Sequence, residues 1–329
     1  MKTFVGRDEP TLKRSVVDHV EDYTKSVAGV EAEAIRTGIG TGSNTVMTVT
    51  DARYVVTSSH IRFPMMLRTT IGDDRVVIGH VVDAPPGARW CNIDLTPGAV
   101  VAYGPGAEHT GVSIPGLSFI FVASPCDELG AIADTLEVDI VPPPRGEVHQ
   151  LGRSEETDAF AATLRGLVGD AALSGLPLRR QGDEVLRAIA RTLTVQDRVH
   201  RIGNRRGIDN RRLVHQCLDY AHSVDRIPSI RELCQMEFVS ERRLRQAFVD
   251  QYGLSPMRFF RAWALEEARR RLLNADASDA TVSRIAAELG IAHFGRFSRD
   301  YRSTFGEFPS ATLRARAQSR RALAGHSHR

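Results

Sequence analysis

The sequence predicts an α+β multidomain chain. Residues 1–150 read as a β-barrel or sandwich, 151–207 as a helical linker and candidate dimerisation segment, and 208–329 as an all-helical domain. Three observations predict this. Short β-branched runs punctuated by Gly and Pro fill residues 30–150. The apolar period becomes helical near residue 154. After residue 207 the chain carries 21 Arg and no Lys.

The whole-chain figures are those of an ordinary globular protein, with 329 residues, 42% hydrophobic and 25% charged. No apolar run approaches the roughly 18–20 residues of a membrane helix, and the start, MKTFVGRDEPTLKR, lacks the apolar core of a secretion signal. A cytoplasmic location with no membrane partner is expected. Cys91, Cys126, Cys217 and Cys234 are far apart and form no Cys-x-x-Cys pair. They read as small buried hydrophobes, not as a disulfide framework or zinc site. The net charge of +3 hides an asymmetry. Residues 208–329 set 21 Arg against 14 Asp and Glu, a net +7, while residues 1–207 hold 22 Lys and Arg against 26 acids, a net −4. A basic C-terminal part beside an acidic N-terminal part suggests an anionic partner for the former.

In the first part, strands are predicted at 46–50 (VMTVT), 54–57 (YVVT), 75–82 (RVVIGHVV), 99–103 (AVVAY) and 117–122 (LSFIFV). Turn pairs such as Pro85-Pro86-Gly87 and Gly104-Pro105-Gly106 lie between them. The glycines at 38–42 read as a hairpin turn, since no helix signal follows them for a phosphate loop. Pro142-Pro143-Pro144-Arg145-Gly146 reads as the exit from the domain. Next, Phe160, Leu164, Leu167 and Val168 form one helical stripe, and Val185, Ile189 and Leu193 another, behind a Ser154 cap. These stripes serve either to dimerise the chain or to pack on the β domain. Residues 203–207 (GNRRG) read as a linker.

The last third carries the function. Leu213, Val214, Cys217, Leu218 and Ala221 lie on one face of a first helix. Ser229-Ile230-Arg231-Glu232 is a capping box, in which the Ser oxygen and the Glu carboxylate each accept a backbone N–H at the helix start. A turn near Phe238-Val239 leads to Ser240, which caps a helix over 241–252 ended by Gly253. Leu244, Ala247 and Phe248 face inward on it, leaving Arg242, Arg243, Arg245 and Gln246 largely outward. Ser255-Pro256 opens a long helix over 257–273. The pattern then recurs: Thr281 caps 282–289, Gly290-Ile291-Ala292 turns, and 293–305 is a second reader. There Phe297 and Tyr301 face inward and Gly295, Arg296, Ser298, Arg299 and Arg302 are its candidate contacts. A short helix, a tight turn and a second helix with exposed arginines is a helix-turn-helix. Two such units joined by a helix of about 18 residues, about 27 Å at 1.5 Å per residue, suit a DNA turn of roughly 34 Å.

Residues 212–316 resemble the AraC/XylS family. IRELCQMEFVSERRLRQAFVDQYGLSPMRFF looks like its first helix-turn-helix unit, and VSRIAAELGIAHFGRFSRDYRSTFGEFPS like its second, with Ile-Ala-x-x-Leu-Gly-Ile and Phe-Gly-x-x-Pro. The resemblance implies that 240–251 and 293–304 enter adjacent major grooves. Arg242, Arg245 and Gln246 would read bases from the first, and Gly295, Arg296 and Arg299 from the second. Three departures stand out: Phe238 replaces a turn glycine, Ala292 a capping serine, and Phe294-Gly295 the usual polar pair. The second unit is therefore expected to act more as a phosphate clamp.

The β-rich part is similar to the cupin-like sensing domain that often precedes this module. Gly98, Gly106 and His109 fall at the spacing of the second cupin motif, but no His-x-His with a following Glu appears upstream. His60, His80 and His109 are candidates to line an effector pocket. No catalytic residue, metal or cofactor is expected. The implied partners are double-stranded DNA, a small-molecule effector, RNA polymerase and a second copy of the chain. Two rival readings remain open: a cupin-type metal enzyme with His109 as ligand, which requires stoichiometric metal, and a helical adaptor that binds protein, whose DNA affinity would show no steep salt dependence.

Overall fold

A computed structural model describes residues 10–174, 182–194, 199–202, 205–275 and 281–315. They fall into two compact units, Met1–Ala34 with Gly40–Arg205, and Ile35–Ile39 with Arg206–Arg329. The first unit opens with β1 (Thr11–Val17), α1 (Val20–Ser26), β2 (Val30–Arg36), β3 (Asn44–Thr50), β4 (Val55–His60) and β5 (Met65–Ile71). It continues through β6 (Arg75–Asp83), β7 (Arg89–Trp90), β8 (Ile93–Asp94), β9 (Val100–Tyr103), β10 (Glu108–Ser113) and β11 (Ser118–Pro125). Then come α2 (Cys126–Leu136), β12 (Val148–Leu151), α3 (Glu155–Ser174), α4 (Gly182–Thr194) and β13 (Val199–Arg201).

Eight strands form one sheet in the order β1-β3-β4-β11-β6-β9-β12-β13, and five form another in the order β2-β5-β10-β7-β8. Among the described residues the two sheets stay separate, so the sandwich alternative holds and no closed barrel forms. One core joins them: Val77, Val101, Phe119 and Phe121 from the large sheet meet Leu67, Ile71 and Trp90 from the small one. The large sheet is covered on its other face too. There Val56, Val76, Ile78, Val100, Ile120 and Val122 pack against Leu129 of α2, Phe160, Leu164 and Leu167 of α3, and Val185, Ile189 and Leu193 of α4. Burial on both faces explains why β6, β9 and β11 read as near-continuous apolar runs instead of alternating. β11 is central, antiparallel to both β4 and β6, with Phe121 opposite Thr57 and Gly79.

The helical stripes read from the sequence therefore face their own sheet, behind a real cap: Ser154 Oγ accepts from Thr157 N–H at 3.2 Å. Other expectations are corrected. The glycines at 38–42 make no hairpin, because β2 and β3 belong to different sheets. Gly40 is needed there for another reason: a Cβ would stand 2.1 Å from the Arg62 carbonyl oxygen. The proline run at 142–146 does not end the sheet, since β12 follows it and pairs with β9. Within 203–207, residues 203–204 lie outside the described residues and 205–207 open a helix. Cys91 and Cys217 are buried as expected, Cys234 is half-buried, and Cys126 is exposed at the start of α2. No helix of the described residues is long and apolar enough to cross a membrane.

Phe160 is fully buried between α3 and the large sheet. Phe160→Ala is expected to lower the stability of this unit by about 3–5 kcal/mol in urea unfolding.

Candidate nucleic-acid interface

The second unit contains α5 (Arg205–Val224), α6 (Ile230–Met236), α7 (Glu241–Tyr252), α8 (Pro256–Asn274), α9 (Val282–Glu288) and α10 (Phe294–Phe305). Its helix starts are those the sequence predicts. Ser229 Oγ accepts from Glu232 N–H at 3.2 Å and Glu232 Oε2 accepts from Ser229 N–H at 2.8 Å, completing the capping box. Ser240 Oγ accepts from Arg243 N–H at 3.2 Å, and Thr281 Oγ1 from Arg284 N–H at 3.1 Å. Gly253 and Gly306 close α7 and α10 in the left-handed conformation, at φ 69° and 80°. Two starts differ. Ser255 stands at the cap of α8 ahead of Pro256 but makes no side-chain hydrogen bond. At α10 the cap is His293, one residue beyond the expected Ala292, and it too makes none.

The inward residues are buried as read: Leu213, Val214, Cys217, Leu218 and Ala221 on α5, Leu233 on α6, Leu244, Ala247 and Phe248 on α7, and Phe297 and Tyr301 on α10. Burial pushes the Cys217 thiol up to about 12. On α7 the outward stripe is Arg242, Arg245 and Gln246, all exposed at helical spacing. Gln246 Nε2 donates to Asp250 Oδ1 at 2.6 Å, which presents its side chain in one orientation. Arg243 corrects the sequence reading. It is half-buried, and its guanidinium donates to Asn210 Oδ1, while Asn210 Nδ2 donates to Asp250 Oδ2 at 2.6 Å. It ties α7 to α5 instead of projecting outward. On α10, Gly295, Arg296, Arg299 and Arg302 are exposed and Ser298 is half-buried. Arg296 Nε lies 3.5 Å from Asp300 Oδ2, and Arg299 Nε donates to the Gly295 carbonyl at 3.3 Å. The Arg302 guanidinium stacks 4.8 Å from the Phe308 ring centroid. Both helices thus present guanidinium groups on solvated faces.

α8 is 19 residues long, about 28 Å at 1.5 Å per residue. Three of its arginines do structural work that sequence reasoning missed. Arg271 Nε donates to Glu267 Oε1 at 2.9 Å, and its other nitrogens reach Asp225 after α5 and Glu288 on α9. Arg270 also pairs with Glu267. Burial raises the Glu267 carboxyl, but the hydrogen bonds from Arg270 and Arg271 outweigh it and leave the group below its usual range. Arg269 is buried, 4.7 Å from the Phe305 ring centroid, and donates to Glu307 Oε1 at 2.9 Å. Ile227 N–H also donates to the Leu289 carbonyl at 3.1 Å, joining the two helix-turn-helix halves through backbone. The Glu267-to-Arg271 spacing of four was the available signal.

Residues 233–315 match a family described as a helix-turn-helix domain. A segment of 88 residues is 40% identical to the XylDLEGF operon transcriptional activator 1 of Pseudomonas putida, covering 27% of each chain. The C-terminal region is a helix-turn-helix domain similar to those of operon activators. A probable thc operon regulatory protein of Rhodococcus erythropolis is 34% identical over 103 residues, 31% of each chain. A solved structure of a probable AraC family transcriptional regulator from Rhodopseudomonas palustris is 34% identical, covering 32% of this chain and 97% of that one, with a TM-score of 0.29. The chain spans 27% of the length of the first of these curated relatives.

In the first unit a cavity lies between the two sheets, lined in part by Trp90, Tyr103, His109, Phe119 and Phe121. His109 belongs to it; His60 and His80 do not. His80 alternates with Gly79 along β6 and so faces the helices, where Arg165 lies 3.3 Å from its Nε2. Burial and then Arg165 hold its ring below the usual histidine range. His60 ends β4, with Nδ1 2.6 Å from Ser118 Oγ. Among the described residues, no three His, Cys, Asp or Glu side chains converge to hold a metal ion.

Two outcomes follow. Phe238, between α6 and α7, is 95% exposed at φ 52°. A left-handed non-glycine residue costs roughly 1–2 kcal/mol, partly offset by the entropy glycine loses. Phe238→Gly should therefore raise thermal stability by about 0.5–1 kcal/mol. Glu232 is held down at about 2, first by its hydrogen bond from Arg226 and then by those of Ser229. Its folded value lies below its unfolded one, so its contribution is present above pH 4.5 and is lost as pH falls toward about 2. Glu232→Gln should flatten the wild-type loss of stability across that window in pH-dependent denaturation.

Proposed function

We propose that the chain is a sequence-specific DNA-binding transcription regulator of the AraC/XylS type, controlled by an effector bound in its N-terminal unit. The observation that carries this is the exposed Arg242, Arg245 and Gln246 stripe on a capped second helix of a helix-turn-helix unit. A second arginine-bearing helix lies beyond α8, a connector of about 28 Å at 1.5 Å per residue. In this reading, residues 1–150 sense, 151–207 link and 208–329 bind DNA. Arg242 and Arg245 make bidentate guanine contacts, each worth about 1–3 kcal/mol of discrimination. Arg296 and Arg299, in the first half of α10 behind its uncapped start, and Arg302, in its last turn, contribute more to phosphate binding than to base reading.

The similarity of the C-terminal domain to operon activators and regulators supports this reading over the metal enzyme and the adaptor. RNA polymerase and a second copy of the chain complete the partners it implies. The apolar stripes of α3 and α4 are occupied by the sheet, so a second copy would be met by other residues of this region.

Arg242→Ala and Arg245→Ala should each weaken binding to a selected cognate site by about 1–3 kcal/mol in gel shift at fixed salt, with an unchanged melting temperature. Unchanged affinity in both would remove the base-reading assignment. Wild-type affinity should fall steeply as salt rises from 50 to 200 mM; a flat profile would point to the protein-binding adaptor.

A further inference from the structure

We propose that the cavity between the two sheets takes an uncharged, flat, mainly apolar molecule bearing one hydrogen-bond-accepting oxygen, which receives the indole N–H of Trp90. The assignment rests on the reading of the N-terminal unit as a sensing domain.

Four observations converge on it. First, glycines seat the rings that wall the space. Gly79 on β6 and Gly111 on β10 both lie beside the cavity-lining rings, and neither has the positive φ that would call for glycine on backbone grounds. A Cβ at Gly79 would stand 3.4 Å from the Trp90 ring; one at Gly111 would stand 3.1 Å from His109 Nε2 and 3.4 Å from Trp90. Glycine inside a strand with no turn to make marks a close approach by another group. Second, the Trp90 indole nitrogen is buried with no hydrogen-bond partner among the described residues, and such donors are normally satisfied. Third, the walls are flat and apolar. Phe119 meets Trp90 edge-on at 5.3 Å, and Phe119 and Phe121 stack at 6.4 Å. Fourth, no Lys, Arg, Asp or Glu lines the cavity. Its polar end is His109, whose Nδ1 lies 3.1 Å from Tyr103 Oη and 3.4 Å from Cys91 Sγ. A carboxylate or ammonium taken out of water there would meet no Lys, Arg, Asp or Glu among the described lining residues, so desolvation favours an uncharged molecule.

Trp90 and Trp263 are the only tryptophans. Full-length Trp263→Phe protein labelled with ¹⁵N at the indole nitrogen therefore gives a single reporter signal from Trp90. Titration with 2-naphthol should move that N–H resonance downfield and saturate at one equivalent per chain. Naphthalene, which lacks the oxygen, and 2-naphthoate, which carries a charge, should each bind at least tenfold more weakly. Gly111→Val should abolish 2-naphthol binding. If that variant does not fold, the smaller Gly79→Ala change should weaken binding at least fivefold in a protein with native circular dichroism. The proposal is overturned if 2-naphthol leaves the Trp90 signal unmoved to its solubility limit. It is equally overturned if 2-naphthoate binds as tightly, through a protonated His109 for example, or if a folded glycine variant binds undiminished. Gel shift of the ligand-free chain tests the regulator reading separately, so either assignment can fail while the other stands.

Discussion

One guanidinium group has three carboxylates to satisfy. Arg271, near the end of α8, reaches back to Glu267 on its own helix, across to Asp225 beyond α5 and onward to Glu288 on α9. These groups come from both helix-turn-helix halves, and the Ile227–Leu289 backbone bond crosses the same junction. Glu267 is almost fully buried, so a missing partner would leave a charge in an apolar setting. The connector is therefore a clamped strut. In the proposed DNA-binding reading this matters, because a joint whose angle is already set loses little freedom when both ends engage.

The division of labour among the arginines follows from the same geometry. Arg269 and Arg271 are mostly buried and carry internal ion pairs, and Arg243 closes a network with Asn210 and Asp250. Arg242, Arg245, Arg296, Arg299 and Arg302 stay exposed. The +7 charge of this region is thus only partly a surface available to an anionic partner. The planar guanidinium can serve both roles, since its fixed donors suit bidentate pairing inside and outside the fold.

The sequence reading succeeded where one local rule decides the structure. Ser229, Ser240 and Thr281 cap because a hydroxyl oxygen is geometrically suited to a free N–H, and Gly253 and Gly306 stop helices because they tolerate positive φ. Phe238 was legible for the converse reason, as a residue standing where glycine fits better. It failed where tertiary pairing decides. MMLRTTI and EHTGVS became β5 and β10 only because they face each other; EHTGVS lacks the apolar density of β6. The glycines at 38–42 looked like a hairpin because turn chemistry says nothing about which sheet the next strand joins. His60, His80 and His109 look alike in sequence, yet the parity of strand alternation puts His80 among the helices and His109 in the cavity. Arg243 was misread because helical phase cannot foresee Asn210 on a neighbouring helix.

The large sheet is a partition one peptide thick. Along β6, Val77 and Gly79 belong to the side shared with the small sheet, while Ile78 and His80 belong to the side carrying α3 and α4. Consecutive residues therefore report to different compartments. Anything that pushes the backbone at Gly79 displaces its neighbours against Leu164 and Arg165 without passing through a loop or hinge. Occupancy on one side of this wall is felt as pressure on the other, and close packing leaves little slack to absorb it.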